Sequence, residues 1–319
     1  MIPPTLPGPD QILEAATRIG KLINHTPVVT SAYFDSITRS HLFFKCENLQ
    51  KVGAFKARGA TNAILTLEKQ FLIRGVATHS SGNHAQALSW AASKAGIPAY
   101  IVMPSNAPAV KVNAVHDYGG KITFCKPTLE AREETLRDVM RETGATEIHP
   151  YNNERIIAGQ ATAALELNQE IPDLEIVMAP VGGGGLLSGT ALASKFFNPK
   201  ASVFGAEPEK ANDAWRSFTT GQLTPSVNPE TIADGLRTSL GSLTFPVILE
   251  CVDNILTVSE ESIVHAMRTV WERMKLLIEP SSAVPVAALL TYPELFAGRK
   301  TGIILSGGNC DLDHLPWLP

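Results

Sequence analysis

Short runs of aliphatic and β-branched residues alternate along almost the whole chain with segments whose apolar positions recur every three or four residues. That alternation predicts an α/β protein with parallel strands. The strand-like runs cover residues 41–46, 75–79, 99–103, 121–125, 175–179, 202–207, 255–258 and 302–305, with helices between them. After the second run, Ala85, Leu88, Ala91, Ala92 and Ala95 fall at helical spacing. Gly96, Ile97 and Pro98 close that helix, and Ser80-Ser81-Gly82-Asn83 offers N-cap residues for its start. Residues 75–147 hold a self-contained run of strand–helix units. They read as a small domain inserted into a larger one of residues 1–74 and 148–319.

Composition narrows the class. The 319 residues are 44% hydrophobic and 18% charged, too apolar for a disordered chain and long enough to bury a core without disulfides. A net charge of −4 gives no basic surplus for a nucleic-acid partner. Four scattered cysteines, Cys46, Cys125, Cys251 and Cys310, form no CxxC pair and read as reduced thiols. The opening MIPPTLPGPDQ lacks a signal-like pattern, and no run of about 18 apolar residues occurs. The expectation is a cytoplasmic protein with neither membrane nor nucleic-acid partners.

Four segments could carry chemistry. In EIVMAPVGGGGLLSG, an apolar strand leads into Gly182, Gly183, Gly184 and Gly185 and then a helix over residues 186–196. Free amides at such a helix start bind anions, usually phosphate. The spacing fits neither GxGxxG nor a P-loop, so the phosphate belongs to another kind of ligand. In GAFKARGA, Lys56 follows Phe55 at a helix start, where the macrodipole favours the neutral amine that a Schiff-base lysine needs. The turn THSSGNH and the segment SGGN (306–309) each follow a strand, where ligands gather in open α/β sheets. Arg132 interrupts the apolar stripe of Leu129, Leu136 and Val139, and either snorkels or faces a carboxylate in a cleft. Glu207 and Asp213 are either solvated acids or oxygen ligands for Mg2+ or Ca2+.

The order of these motifs resembles the fold-type II pyridoxal-phosphate enzymes of the serine/threonine dehydratase family. LFFKCENLQKVGAFKARGA, THSSGNHAQAL, AEPEKANDA, TIADGL, WERMKLLIEPSSA and LSGGNCDL are most similar to its eukaryotic-type serine racemases. The resemblance implies a tryptophan synthase β-like fold, with two domains that each hold a mostly parallel sheet. It implies interconversion of L- and D-serine with elimination to pyruvate and ammonia, in a homodimer. A threonine or threo-3-hydroxyaspartate dehydratase is the alternative. On that resemblance Lys56 carries pyridoxal 5'-phosphate, Phe55 packs beside its ring, and glycines 182–185 hold its phosphate. Asn83 meets the ring hydroxyl and Ser306 the ring nitrogen, where a hydroxyl does not enforce protonation. Ser80, Ser81, Gly82, Asn83 and His84 would hold the substrate carboxylate, with Arg132 and Thr238 nearby. Lys56 and Ser81 would be the two acid–base groups, on opposite faces. Glu207, Asp213 and the Ala211 carbonyl match a site for Mg2+, Ca2+ or Mn2+. Ser31, Lys51, Gln86, Lys111 and Tyr118 match contacts for ATP as an effector, although Ala32 and Val52 replace hydroxyl residues usual there. Tyr151 likewise replaces an asparagine found in some racemases, as in many dehydratases.

Overall fold

The computed structural model describes residues 6–318; the reading of residues 1–5 lies outside them. The chain begins with α1 (Pro9–Ile19), β1 (Val28–Val29), α2 (Ala32–Thr38) and β2 (His41–Cys46), then two 3-10 turns at Glu47–Leu49 and Lys51–Gly53. Next come α3 (Lys56–Leu65), α4 (Lys69–Leu72), β3 (Val76–His79), α5 (Asn83–Ala95), β4 (Ala99–Pro104) and α6 (Ala109–Asp117). They are followed by β5 (Lys121–Cys125), α7 (Leu129–Thr143), β6 (Thr146–Glu147) and α8 (Glu154–Glu170). The remainder is β7 (Ile176–Pro180), α9 (Gly185–Phe197), β8 (Ser202–Pro208), α10 (Asp213–Thr220), α11 (Thr244–Cys251), β9 (Asn254–Val258), α12 (Glu260–Met274), α13 (Pro280–Thr291) and β10 (Lys300–Leu305).

The strands form two sheets. One has six strands in the order β1-β2-β10-β7-β8-β9, and the other four in the order β5-β4-β3-β6. Every pairing is parallel except β1 with β2. The eight expected strands are all present; β1 and β6 are additions, each two residues long and too short to show a period. Successive residues of β7 serve opposite faces of the larger sheet: Ile176 and Met178 pack in a core with α13, and Val177 and Ala179 in another with α8 and α9. Burial on both faces is why these strands are continuously apolar.

Residues 76–147 supply all four strands of the smaller sheet. Its main core also takes Ala57, Ala60, Ala63 and Ile64 from α3. That helix therefore touches both sheets' surroundings, packing on α5 and on α8. At α5 the N-cap is Gly82, one of the residues Ser80-Ser81-Gly82-Asn83 offered for it, and no side chain caps the helix. Among the described residues no helix is long and apolar enough to cross a membrane.

Candidate active site

The carboxyl end of β10 lies beside that of β2 in parallel register, which brings the segment before Lys56 against residues 306–309. Phe55 N donates to Ser306 O at 3.0 Å, and Gly308 N to Gly53 O at 2.9 Å. Asn309 Nδ2 donates to Val52 O at 2.7 Å. The chain turns through Val52 (φ 56°) and Gly53 (φ 67°). A β-branched residue in the left-handed region is strained, and it persists because these bonds hold the turn. Lys56 then opens α3, half-buried, with its Nζ donating to Pro150 O at 2.8 Å and standing 5.1 Å from the centre of the Phe55 ring. Burial lowers its pKa to about 8 against the opposing pull of Glu279. The neutral amine expected from the helix dipole is thus favoured chiefly by desolvation.

The four glycines enter α9 with Gly184 as N-cap at φ 87° and no side-chain cap. The first-turn amides consequently keep no protein partner from a cap, the condition for an anion cradle. The glycines also answer an inward demand. A Cβ on Gly183 would lie 2.3 Å from the Tyr151 ring, one on Gly182 2.9 Å from Leu236 Cα, and one on Gly184 2.8 Å from the Thr244 side chain. Thr244 Oγ1 donates to Gly183 O at 2.8 Å and fixes the loop from behind.

The helix α5 begins at the SSGNH turn. Ser80 and Ser81 are half-buried there, and Gly82 N donates weakly to Ser80 Oγ at 3.4 Å. Asn83 is fixed from two sides: its Nδ2 donates to both oxygens of Glu279 (2.8 and 3.0 Å), and its Oδ1 accepts from Asn309 Nδ2 (2.9 Å). Burial, followed by the charge of Asp234, pushes Glu279 up to about 7. The His84 side chain points inward, with Nε2 3.0 Å from Ile148 O, and burial with the nearby Lys56 charge holds its pKa at about 3.

An aromatic row joins this turn to the glycine loop, with His79 next to Ser80 and Tyr151 against Gly183. His79 and His149 meet edge-on at 6.5 Å and His149 and Tyr151 at 4.6 Å. Tyr151 also hydrogen-bonds to Thr238, which is itself exposed. His149 Nδ1 accepts from Asn152 N at 2.9 Å, and burial keeps the ring neutral with a pKa of about 4. Arg132 acts on His79 electrostatically, and its buried Nε has no hydrogen-bond partner.

At the end of β8, Glu207 is fully buried and accepts from Ala214 N (2.9 Å) and Trp215 N (2.8 Å). Burial and then the charge of Asp213 push it well above the carboxylate range, and burial lifts Asp213 to about 6. Neither buried oxygen of Asp213 has a well-formed hydrogen bond. No group of three or more His, Cys, Asp or Glu side chains converges among the described residues. Two adjoining buried acids, one without partners, nevertheless fit a hard divalent cation, with a backbone carbonyl such as that of Ala211 as a further donor.

The positions matched to a nucleotide effector are spread over several elements. Gln86 lies on α5, Lys51 in the turn packed against it, and Lys111 and Tyr118 on and just after α6. Lys111 is ion-paired with Asp234, and Ser31 caps α2. Sequence reasoning missed Glu279, Asn309 as the support for Val52 and Asn83, and the Pro150 carbonyl. A lone acid inside the apolar LLIEPSSA segment was the available signal for the first; the others depend on which loops meet.

Comparison with known proteins agrees with this geometry. Residues 19–307 match the family model described as pyridoxal-phosphate dependent enzyme. The chain is 49% identical over 312 residues to the β-hydroxyaspartate dehydratase of Paracoccus denitrificans (strain Pd 1222), covering 98% of this chain and 99% of that protein. It is also 49% identical over 309 residues to the serine racemase of Dictyostelium discoideum, covering 95% of each. The crystal structure of the D. discoideum serine racemase superposes with a TM-score of 0.92 at 48% identity, covering 97% of this chain and 100% of that one. The chain belongs to the pyridoxal-phosphate dependent enzymes of fold type II.

Proposed function

We propose that this protein interconverts L- and D-serine and also eliminates serine to pyruvate and ammonia, with Lys56 carrying pyridoxal 5'-phosphate. The observation that supports this most is the placement of Lys56. Its amine, with a pKa of about 8, donates to Pro150 O, and the residue before it, Phe55, is tied to Ser306 O through its backbone N. When bound, the cofactor supplies an aldehyde that condenses with an amine, releasing water, and an electron-poor ring that stabilises charge on the neighbouring carbon.

The residues divide the remaining work. The amides from Gly182 to Gly185 and the first turn of α9 bind the phosphate. Ser306 meets the ring nitrogen, and Asn83, locked by Glu279 and Asn309, orients the ring hydroxyl. The uncapped start of α5 takes the substrate carboxylate through amides of Ser80–His84. Lys56 Nζ accepts the Cα proton on one face, and Ser81 Oγ holds a proton for the other. Two such groups on opposite faces are what racemisation requires. Loss of the β-hydroxyl after proton removal at Lys56 leads instead, with hydrolysis, to pyruvate and ammonia. Glu207, Asp213 and the Ala211 carbonyl hold Mg2+ in a structural role, and residues 75–147 form the substrate-binding domain.

A second reading, dehydration of threo-3-hydroxyaspartate or threonine with little racemisation, is favoured by the 49% identity to the β-hydroxyaspartate dehydratase. A time course of D-serine and pyruvate from L-serine with the purified protein separates them. Both products support the main reading. Pyruvate without D-serine, together with rapid turnover of 3-hydroxyaspartate, selects the second.

A further inference from the structure

Arg58 stands two residues beyond Lys56 in the first turn of α3. At roughly 100° per residue the two side chains leave the helix on opposite sides. Arg58 is 0% exposed and every guanidinium nitrogen is engaged. Nε and Nη2 donate to Glu47 at 2.7 and 2.8 Å, Nη1 and Nη2 donate to Glu166 at 2.7 Å each, and Nη1 also reaches Thr162 Oγ1 at 3.1 Å. Glu47, itself wholly buried, accepts from Thr26 Oγ1 at 2.5 Å. Lys45 Nζ closes the far side of Glu166 at 2.8 Å.

The cluster joins three pieces of chain: the end of β2 with its following turn, α3, and α8. Beside it α3 and α8 touch backbone to backbone, since a Cβ on Gly159 would lie 2.6 Å from Gly59 Cα. The lead-in to α8 is also the segment whose Pro150 carbonyl holds Lys56 Nζ. A buried ion cluster is a poor source of net stability compared with apolar side chains of the same shape. What it does supply is geometry. A planar fork bonded side-on to one carboxylate and end-on to another accepts one rotational setting of its helix.

We propose that the buried Arg58 cluster is the positioning device for Lys56: by clamping α3 between the turn after β2 and α8, it fixes the direction in which the lysine amine emerges on the opposite side of the helix. The proposal rests on the reading of Lys56 as the cofactor-bearing lysine. Arg58 touches neither substrate nor cofactor in this role and acts only through the helix.

Two variants of the full-length protein test it. Arg58→Lys keeps the charge but cannot bridge both carboxylates. Arg58→Met combined with Glu47→Gln removes the pair without stranding a buried acid, and leaves Glu166 on Lys45. Folding is followed by circular dichroism and melting. Lys56 is followed in two ways, by the pH dependence of its acetylation by acetic anhydride without cofactor, and by the rate at which pyridoxal phosphate becomes fixed to it by borohydride. At least one variant is expected to fold, with fixation slowed about 10- to 100-fold, the order associated with a misplacement of about 1 Å. Its acetylation midpoint should rise from about 8 towards that of an ordinary lysine. Folded variants with the wild-type rate and midpoint overturn the proposal. So does failure of both to fold, which makes the cluster a stability element. Absence of label from Lys56 in the wild type instead overturns the assignment of the lysine.

Discussion

Gly183→Ala tests whether the glycine loop is shaped by Tyr151 behind it. The added Cβ would fall 2.3, 2.4 and 2.4 Å from three ring carbons of Tyr151, where ordinary contact begins at 3.4 Å. Relief needs a movement of about 1 Å. The ring has little freedom to supply it, because it stacks edge-on to His149 at 4.6 Å and its hydroxyl is bonded to Thr238. Overpacking of this kind costs about 1–3 kcal/mol, and disturbing the aromatic pair adds about 0.5–1.5 kcal/mol. We expect Gly183→Ala to lose about 2–3 kcal/mol in urea unfolding of the cofactor-free protein, within the range of those two effects. We also expect about tenfold weaker pyridoxal phosphate binding by absorbance titration, equivalent to about 1.4 kcal/mol. Tyr151→Asn creates the missing space, so the double variant should recover at least about 1 kcal/mol of the sum of the single losses. Strict additivity would show that the glycines do not owe their identity to Tyr151 and would refute the reasoning.

Three further outcomes are expected. In Ser81→Ala, D-serine formation from L-serine should fall by at least about 10²-fold while pyruvate formation falls much less, and from D-serine both should fail; near-wild-type racemisation would reject Ser81 as the second acid–base group. Chelator should lower the melting temperature of the wild type and Mg2+ should restore it, since a ligand bound only by the folded state stabilises that state. Asp213→Ala should respond to neither, and an unchanged response would remove the metal assignment. Glu279 titrates at about 7 in the fold against an ordinary 4.5. The folded state therefore holds an extra proton in that window, and stability falls as pH rises through it, by at most about 3 kcal/mol. Glu279→Gln should lose this slope, so that the stability gap between variant and wild type changes in the variant's favour from pH 5 to pH 8; a constant gap would contradict it.

The sequence made the repeating architecture legible because strands buried on both faces are continuous apolar runs and the helices between them keep a 3.6-residue period. The glycine loop and the SSGNH turn stood out because each marks a strand-to-helix junction, where ligands collect in such folds, and Lys56 because it opens a helix beside an aromatic. Their physical reasons were less legible. Lys56 owes its lowered pKa mainly to burial, which depends on residues such as Pro150 and Ser306 far along the chain. The glycines are required on their inner side by Tyr151, Leu236 and Thr244, none of which is near them in sequence. Arg58 reads in the sequence as one more charge beside Lys56. Only the packing of β2, α3 and α8 shows that two glutamates enclose it. Asp213 could equally have been a solvated acid until the fold buried both its oxygens without partners.

The placement of the cofactor on Lys56 is tested most directly by borohydride reduction of the full-length protein with pyridoxal phosphate, followed by peptide mapping. The account predicts a phosphopyridoxyl group on Lys56 and on no other lysine, and none retained in Lys56→Ala. Label on a different lysine, or undiminished label in Lys56→Ala, would contradict it.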